Sequence, residues 1–428
     1  MKVTVMGLGY IGLPTAITFA EYGYQVHGTD TNPAVIEALN QKSTLHIEEP
    51  GLEEKVKTVI ESGSFTFSRA PEKSDAFIIA VPTPITDDNR ANLDYVESAT
   101  EMILPFLEKG NVVILESTVP PLTIEKVMKP IVESRGFKAG EDIYLAHSPE
   151  RVMPGKLFQE LIENDRIIGG FNDISGRKAG ELYASFVKGN IHYTDAATAE
   201  MVKLMENTYR DVNIALANEL ARISERIGAD VWEAIRLANY HPRVNLHQPG
   251  PGVGGHCIAV DPWFLVEAAP EEAQLIKMSR YINNDTPFQV VNRVKEMMDD
   301  FGGKKLTVLG LAYKGETGDA RESPSLVIVN ELIRAGYDVS TYDPYVQEGY
   351  SHQAASLEEA AADSDMLVIL TNHKQFSKID FSTIGEQMEQ KMILDAKNMF
   401  TAKQIRQHGF HYYQIGVKQS RLLGDKVK

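Results

Sequence analysis

The chain has 428 residues, 43% of them hydrophobic and 24% charged, with 59 Asp and Glu against 43 Lys and Arg for a formal net charge of −16. That balance excludes a broad nucleic-acid surface, which needs a basic face to displace phosphate counterions, but not one small anion held by a few local cations and N–H groups. A single cysteine excludes an intrachain disulfide and fits a reducing compartment, and no apolar run reaches the roughly 18 residues of a membrane span. The expectation is a soluble cytoplasmic chain of roughly two to three domains, without membrane or nucleic-acid partners.

The opening MKVTVMGLGY reads as the start of a strand, not as a charged segment leading into an apolar one. From it, KVTVMGLGYIGLPTAITFAEYGYQVHGTD runs strand, glycine turn, helix, strand. Gly7, Gly9 and Gly12 form G-x-G-x-x-G. The first glycine makes the tight turn, the second lets backbone approach a pyrophosphate, and the third lets the helix pack on the strand. The helix N-terminus then faces the anion with free N–H groups. Asp30 ends the second strand roughly 20 residues on, where a carboxylate accepts bonds from the adenosine ribose and repels a 2′-phosphate. NAD is therefore expected over NADP, in a Rossmann-type unit.

Three further apolar strands, AFIIAVP, NVVILEST and IYLAHSPE, end in polar or Pro-rich sequence: VPTP, STVPP and SPER. Ligands of a doubly wound sheet lie beyond the carboxyl ends of its strands, so Thr83, Thr118 and Glu150 are candidates to line a crevice. Such residues also serve as ordinary helix caps; three in one sheet point to a site.

DAATAEMVKLMENTYRDVNIALANELARISERIG spells one long helix, free of Gly and Pro up to Gly228 and too apolar for a single surface stripe. Lys203, Asn207 and Asp211 recur every four residues and share a side. That side is either a solvated polar face or, for Lys203 and Asn207, the wall of a crevice that also holds the cysteine. The cysteine is Cys257, in GPGVGGHCIAVDP (250–262). A structural thiol sits in an apolar run; this one follows glycine-shaped backbone, which favours a reactive thiol. Adjacent side chains in extended backbone point apart, so His256 is not assigned as its base.

KKLTVLGLAYKGETGDARESPSLVIVNELIRAGYDVSTYDP repeats strand, turn, helix, strand without the glycine fingerprint, and DMLVIL and KMILDA add strands. The turn carries Lys314 and Arg321, suited to phosphate or sugar oxygens. The fold class expected is α/β, with two Rossmann-like doubly wound domains joined by a long central helix.

Taken in order, GLGYIGLP, VPTP, ESTVPP, HSPERVMPG, EMVKLMENTYRDVNIALANEL, HPRVN, GPGVGGHCIAVDPWF and GLAYKGETGDARESP resemble the UDP-glucose/UDP-N-acetylmannosamine 6-dehydrogenases from end to end. HPRVN and GHCIAVDPWF are more similar to the UDP-N-acetylmannosamine branch, with UDP-N-acetylglucosamine 6-dehydrogenases next and the UDP-glucose branch after them. The resemblance implies an NAD-binding domain over 1–195, a central helical segment with the cysteine loop over 196–300, and a UDP-sugar-binding domain over 301–428. It implies NAD-dependent oxidation of a C6 alcohol to a carboxylate in two hydride transfers, by an enzyme that is at least a homodimer and needs no metal.

Site residues follow from the same resemblance. Cys257 is the nucleophile that forms a thiohemiacetal and then a thioester. Lys203 and Asn207 stabilise the oxyanion, Asp261 and Thr118 position the hydrolytic water, and Glu150 assists as a base. Gly9, Tyr10, Ile11, Asp30, Thr83 and Thr118 hold NAD. The UDP-sugar is held by Arg151, Lys203, Asn207, Gly254 with its loop, Tyr313, Lys314 and Arg321, and by Arg243 reaching in from the neighbouring subunit. Where UDP-glucose dehydrogenases carry DGR after the last strand, this chain reads LDAKN with Lys397, keeping the charge and losing the bidentate fork.

Overall fold

The computed structural model describes residues 1–418 except 45, 46, 48, 154, 347, 348 and 351. The chain divides into two units. One is Met1–Glu206 with Trp263–Pro270; the other is Asn207–Pro262 with the chain from Glu271 onward.

The first unit carries eight strands: β1 (Lys2–Met6), β2 (Gln25–Thr29), β3 (Phe65–Ser68), β4 (Ala76–Ile79), β5 (Val112–Leu115), β6 (Tyr144–His147), β7 (Arg166–Gly170) and β8 (Ile191–Asp195). Their order is β3-β2-β1-β4-β5-β6-β7-β8, parallel except for the antiparallel pair β6 and β7. Strands β4 and β5 are unbroken apolar runs because both faces are covered by helices. Chain order reverses beside β1, which pairs with β2 on one side and β4 on the other, and this switch point is where the crevice opens. Met6 stands opposite both Thr29 and Ile79, so the three strand ends lie level there.

The second unit holds β9 (Lys305–Leu309), β10 (Asp338–Tyr342), β11 (Met366–Ile369), β12 (Met392–Asp395) and β13 (His411–Gln414), in the all-parallel order β10-β9-β11-β12-β13. The α/β class with two doubly wound sheets is as expected. The sequence reading had not picked out β3, β7, β8 or β13; β8 is a half-exposed edge without an apolar face to betray it.

A helix of 32 residues, Ala196–Ile227, joins the units, about 48 Å long at 1.5 Å per residue. It stops where its sequence says it should. Gly228 takes a left-handed φ of 82°, and the N–H groups of Gly228 and Ala229 close on the Ser224 carbonyl at 2.9 and 3.0 Å. Asp230 then caps the next helix, Val231–Ala238, accepting the N–H groups of Trp232 and Glu233. No helix among the described residues is long and apolar enough to cross a membrane.

Candidate active site

The turn after β1 is built for close approach. Gly7 takes a φ of 89°, and a Cβ on Gly12 would lie 1.8 Å from the Gly7 carbonyl oxygen, so the helix Gly12–Glu21 starts tight against the strand. A Cβ on Gly9 would meet nothing within 4 Å, which leaves open space above the backbone that a pyrophosphate needs. Asp30 accepts the N–H groups of Leu8 at 2.9 Å and Asn32 at 2.8 Å and stays half-buried. Open backbone, a helix N-terminus and a partly exposed carboxylate at the second strand fit NAD. Tyr10 donates to Glu49 at 3.1 Å, and Glu49 also accepts the N–H groups of Gly155 and Leu157. Burial, with the nearby carboxylates of Glu49 and Glu150, pushes the Tyr10 phenol well above its ordinary value.

The strand ends bring their polar residues together. Thr83 donates to the Thr118 carbonyl at 2.6 Å, and Ser117 to the Val81 carbonyl at 2.6 Å, which bolts VPTP to STVPP. Glu150 pairs with Lys203 at 3.2 Å, both largely buried, and accepts the Val152 N–H. Arg151 pairs with Glu206 at 2.8 Å, so its guanidinium is partly engaged by the protein itself. Lys203, Asn207 and Asp211 are all buried; the solvated-face alternative is excluded.

Beneath these ends lies a network that the sequence reading missed. Glu116, just before Ser117, accepts from Arg166, from the Tyr183 hydroxyl at 2.7 Å and from Thr15 of the first helix at 3.2 Å. Arg166 also donates to Ser148 at 2.9 Å and stacks 4.0 Å from the Tyr183 ring centre. One buried pair thus ties the ends of β5 and β6 to β7 and the dinucleotide helix. The only hint in the sequence was an acidic residue closing an apolar strand. Glu200 caps the segment after STVPP, accepting the N–H groups of Leu122 and Ile124 at 2.6 and 2.8 Å; burial raises its carboxyl to about 7.

In the second unit the cysteine loop is held at close quarters. A Cβ on Gly254 would lie 2.6 Å from the Glu322 carbonyl oxygen and 2.7 Å from the Tyr313 Cβ, so no side chain fits. Gly255 donates to the Arg321 carbonyl at 3.2 Å. Half-buried Cys257 sits at a helical turn whose carbonyl accepts the Asp261 N–H at 2.8 Å, and the buried Asp261 carboxylate accepts from the Asn207 amide. Burial, then the charges of Asp319 and Cys257, raises the Tyr313 phenol. Arg321 grips Asp319 through two bonds of 2.9 and 2.7 Å. Lys397 reaches the cysteine loop: its Nζ would lie 3.1 Å from a Cβ on Gly250, and burial pulls its ammonium down to about 8. Lys314 and Arg243 are exposed and lie outside these clusters. Among the described residues no group of three or more His, Cys, Asp or Glu could hold a metal ion.

A doubly wound sheet with a dinucleotide turn places the chain among the NAD-dependent oxidoreductases. Its residues 1–187, 197–285 and 307–402 match, in turn, the NAD binding, central and UDP binding domains of the UDP-glucose/GDP-mannose dehydrogenase family. The chain belongs to this family, and it is an NAD-dependent UDP-sugar dehydrogenase. It is 46% identical to UDP-N-acetyl-D-mannosamine dehydrogenase of Methanocaldococcus jannaschii over 97% of this chain and 96% of that one. It is 42% identical to NDP-N-acetyl-D-galactosaminuronic acid dehydrogenase of Ralstonia solanacearum, over 94% and 97%. The solved UDP-D-ManNAc dehydrogenase of Pyrococcus horikoshii superposes with a TM-score of 0.91 at 44% identity, covering 97% of this chain and 99% of that one.

Proposed function

We propose that the chain oxidises C6 of UDP-N-acetylmannosamine to the carboxylate of UDP-N-acetylmannosaminuronate through a covalent bond to Cys257. The observation that carries this is the sole thiol of the chain on a loop too tight for any side chain at Gly254, with Asp261 one helical turn on and tied to Asn207. The acetamido sugar is supported by relatives at 46% and 42% identity, both named for N-acetylated sugars; the manno configuration rests on the more similar of the two.

When bound, NAD accepts a hydride from the substrate carbon, once per molecule over two rounds. The residues of this chain do the rest. The Cys257 thiolate adds to the aldehyde carbon as a thiohemiacetal, whose oxidation leaves a thioester. Lys203, through its ammonium charge, and Asn207, through its amide, would stabilise the oxygen as it gains charge; the first is paired with Glu150 and the second donates to Asp261. Thr118 and Asp261 would hold the water that cleaves the thioester, with Glu150 taking its proton and the thiolate leaving. The balance is one alcohol, one water and two NAD⁺ giving one carboxylate, two NADH and three protons.

Gly9, Tyr10, Ile11, Asp30, Thr83 and Thr118 would hold NAD, and Arg151, Gly254, Tyr313, Lys314 and Arg321 the UDP-sugar. Arg243 would complete a second copy's sugar site in at least a homodimer. In support of pairing, the long helix exposes Met201, Met205, Tyr209, Leu216, Ile223 and Ile227, which at 100° per residue fall within an arc of about 80°.

The test is kcat/KM for UDP-N-acetylmannosamine, UDP-N-acetylglucosamine and UDP-glucose with NADH counted per acid formed. Expected are two NADH, a margin of at least about tenfold over UDP-glucose because unmet amide partners cost about 1–3 kcal/mol each, and no completed turnover by Cys257→Ser. One NADH per acid or an active serine variant overturns the mechanism. Preference for another sugar overturns the substrate, and sedimentation as single copies overturns the pairing.

A further inference from the structure

The long helix grips the cysteine loop at both ends. Asn207 donates to Asp261, four residues after Cys257, while Asn218 accepts the N–H of Gly250, seven residues before it, at 2.9 Å. Asn207 and Asn218 are eleven residues apart, about three turns, so they share one face of the helix. Between these anchors the loop is confined: a Cβ on Gly252 would lie 2.9 Å from Pro324 and 3.1 Å from Pro287.

Asn218 is not free to turn. Its amide donates to the Asn283 oxygen at 3.1 Å, and Asn283 donates in turn to the Asp211 carboxylate at 2.8 Å and carbonyl at 2.9 Å. Asp211 is paired with Arg280, whose other end donates to Asn284. Every amide orientation in this chain of bonds follows from the next one. Asn218, Asn283, Asp211 and Arg280 are each no more than 4% exposed.

Stability alone gives no reason for this arrangement. Burying an ion pair costs several kcal/mol per ion, and apolar residues of similar volume commonly do as well or better. Here the pair is also incompletely satisfied, since Asp211 Oδ2 and Arg280 Nε find no hydrogen-bond partner. What such a network supplies is a single orientation at its far end, and that end is the Gly250 N–H.

We propose that Asn218 is a positioning residue for the reaction: held by Asn283 and the Asp211–Arg280 pair, it fixes Gly250 and thereby sets how the loop presents the Cys257 thiol. This rests on the reading of Cys257 as nucleophile. Because Cys257 is the only cysteine, its alkylation by iodoacetamide reports on that thiol alone, without turnover.

The experiment compares wild type, Asn218→Ala, Asn218→Asp and Cys257→Ser as full chains. For Asn218→Ala the alkylation rate against pH should change at least threefold in plateau or shift in midpoint. Its kcat should fall at least tenfold while KM for NAD stays within twofold. A purely structural role would lower the melting temperature without moving the alkylation profile. Asn218→Asp keeps an oxygen for Gly250 but has no amide to donate to the Asn283 oxygen, so it should lose kcat and change its alkylation profile as Asn218→Ala does. A folded Asn218→Ala with wild-type alkylation and kcat, or Asn218→Asp with wild-type alkylation and kcat, overturns the proposal; if Asn218→Ala does not fold, Asn218→Ser takes its place under the same criteria. Full turnover by Cys257→Ser overturns the nucleophile reading instead, and the alkylation comparison then decides the positioning role by itself.

Discussion

Asp30 and Asp343 each follow the second strand of their sheet, and the two carboxylates are used in opposite ways. Each accepts the N–H of the residue after the first turn glycine, Leu8 at 2.9 Å in one case and Leu311 at 2.7 Å in the other. Asp30 adds the N–H of Asn32 and remains half-buried. Asp343 adds the N–H groups of Ala312, Tyr345 and Val346 and the His373 imidazole at 3.1 Å, and its side chain is wholly buried. The Glu316 N–H donates to His373 Nδ1 at 3.0 Å, which places the imidazole proton on Nε2, facing Asp343. A carboxylate with about four lone-pair sites has none left for a ribose. The same strand-end acid is left partly open in the first unit, where it is proposed to meet NAD, and is a brace in the second, where it holds the turn carrying Tyr313 and Lys314.

The comparison breaks most sharply at the brace. Asp343→Ala orphans four backbone donors and an imidazole in the interior, and a cost of about 3–5 kcal/mol in urea unfolding is expected. A loss under about 1 kcal/mol would remove Asp343 from this role. Burial pushes its carboxyl up, but the His373 bond and the Ala312 and Tyr345 N–H groups outweigh that and hold it at about 2. A depressed carboxyl stabilises the fold above its ordinary value and loses that contribution as pH falls. The Asp343 share, about 2 kcal/mol, should therefore disappear between about pH 4 and 2, and Asp343→Asn should flatten that part of the acid-unfolding curve.

Glu200 sharpens the point from the other side, as a buried carboxylate with too few donors. Burial carries it to about 7, and the Leu122, Thr123 and Ile124 N–H groups only partly offset this. The sign is reversed: a raised carboxyl favours the protonated fold, so its contribution is greatest below the ordinary carboxylate range and is lost as pH rises through 7. Up to about 3 kcal/mol is involved. Glu200→Gln should reduce the difference in urea stability between pH 5 and pH 8 by about 2–3 kcal/mol; an unchanged difference would mean that Glu200 is ionised throughout.

What could be read from the sequence was whatever depends on near neighbours. The turn Gly7–Gly12, Asp30 after β2, and the end of the long helix at Gly228 are each set by steric or capping rules spanning a few residues, and these features stand where expected. The partners that complete them come from far along the chain. Glu116 meets Arg166 50 residues away, Asp343 meets His373 30 away, and Asn218 meets Gly250 32 away. Little in the neighbouring sequence distinguishes Asp343 from Asp30, since each directly follows a short second strand, DVSTY in one case and QVHGT in the other; only the folded second unit supplies the histidine and the Ala312 N–H. Asp211 showed the same limit. Its spacing put it on the side of Lys203 and Asn207, yet its charge is matched by Arg280 from another helix.

The smallest effect expected is the most specific to the ligand-facing carboxylate. Asp30→Asn keeps an oxygen for the Leu8 N–H, so the glycine turn should survive with stability within about 1 kcal/mol of wild type, in contrast to Asp343→Ala. What is lost is the negative charge that is proposed to meet the ribose. Hydrogen bonds to a charged group are worth about 1.5–3 kcal/mol and neutral ones about half that, so KM for NAD should rise about tenfold. The adenosine ribose takes no part in hydride transfer, so kcat at saturating NAD should stay within about threefold. Removing the charge also removes the repulsion of a 2′-phosphate, and the ratio of kcat/KM for NADP to that for NAD should climb at least about tenfold. An unchanged KM for NAD together with an unchanged cofactor ratio would mean that Asp30, like Asp343, serves only the turn it closes.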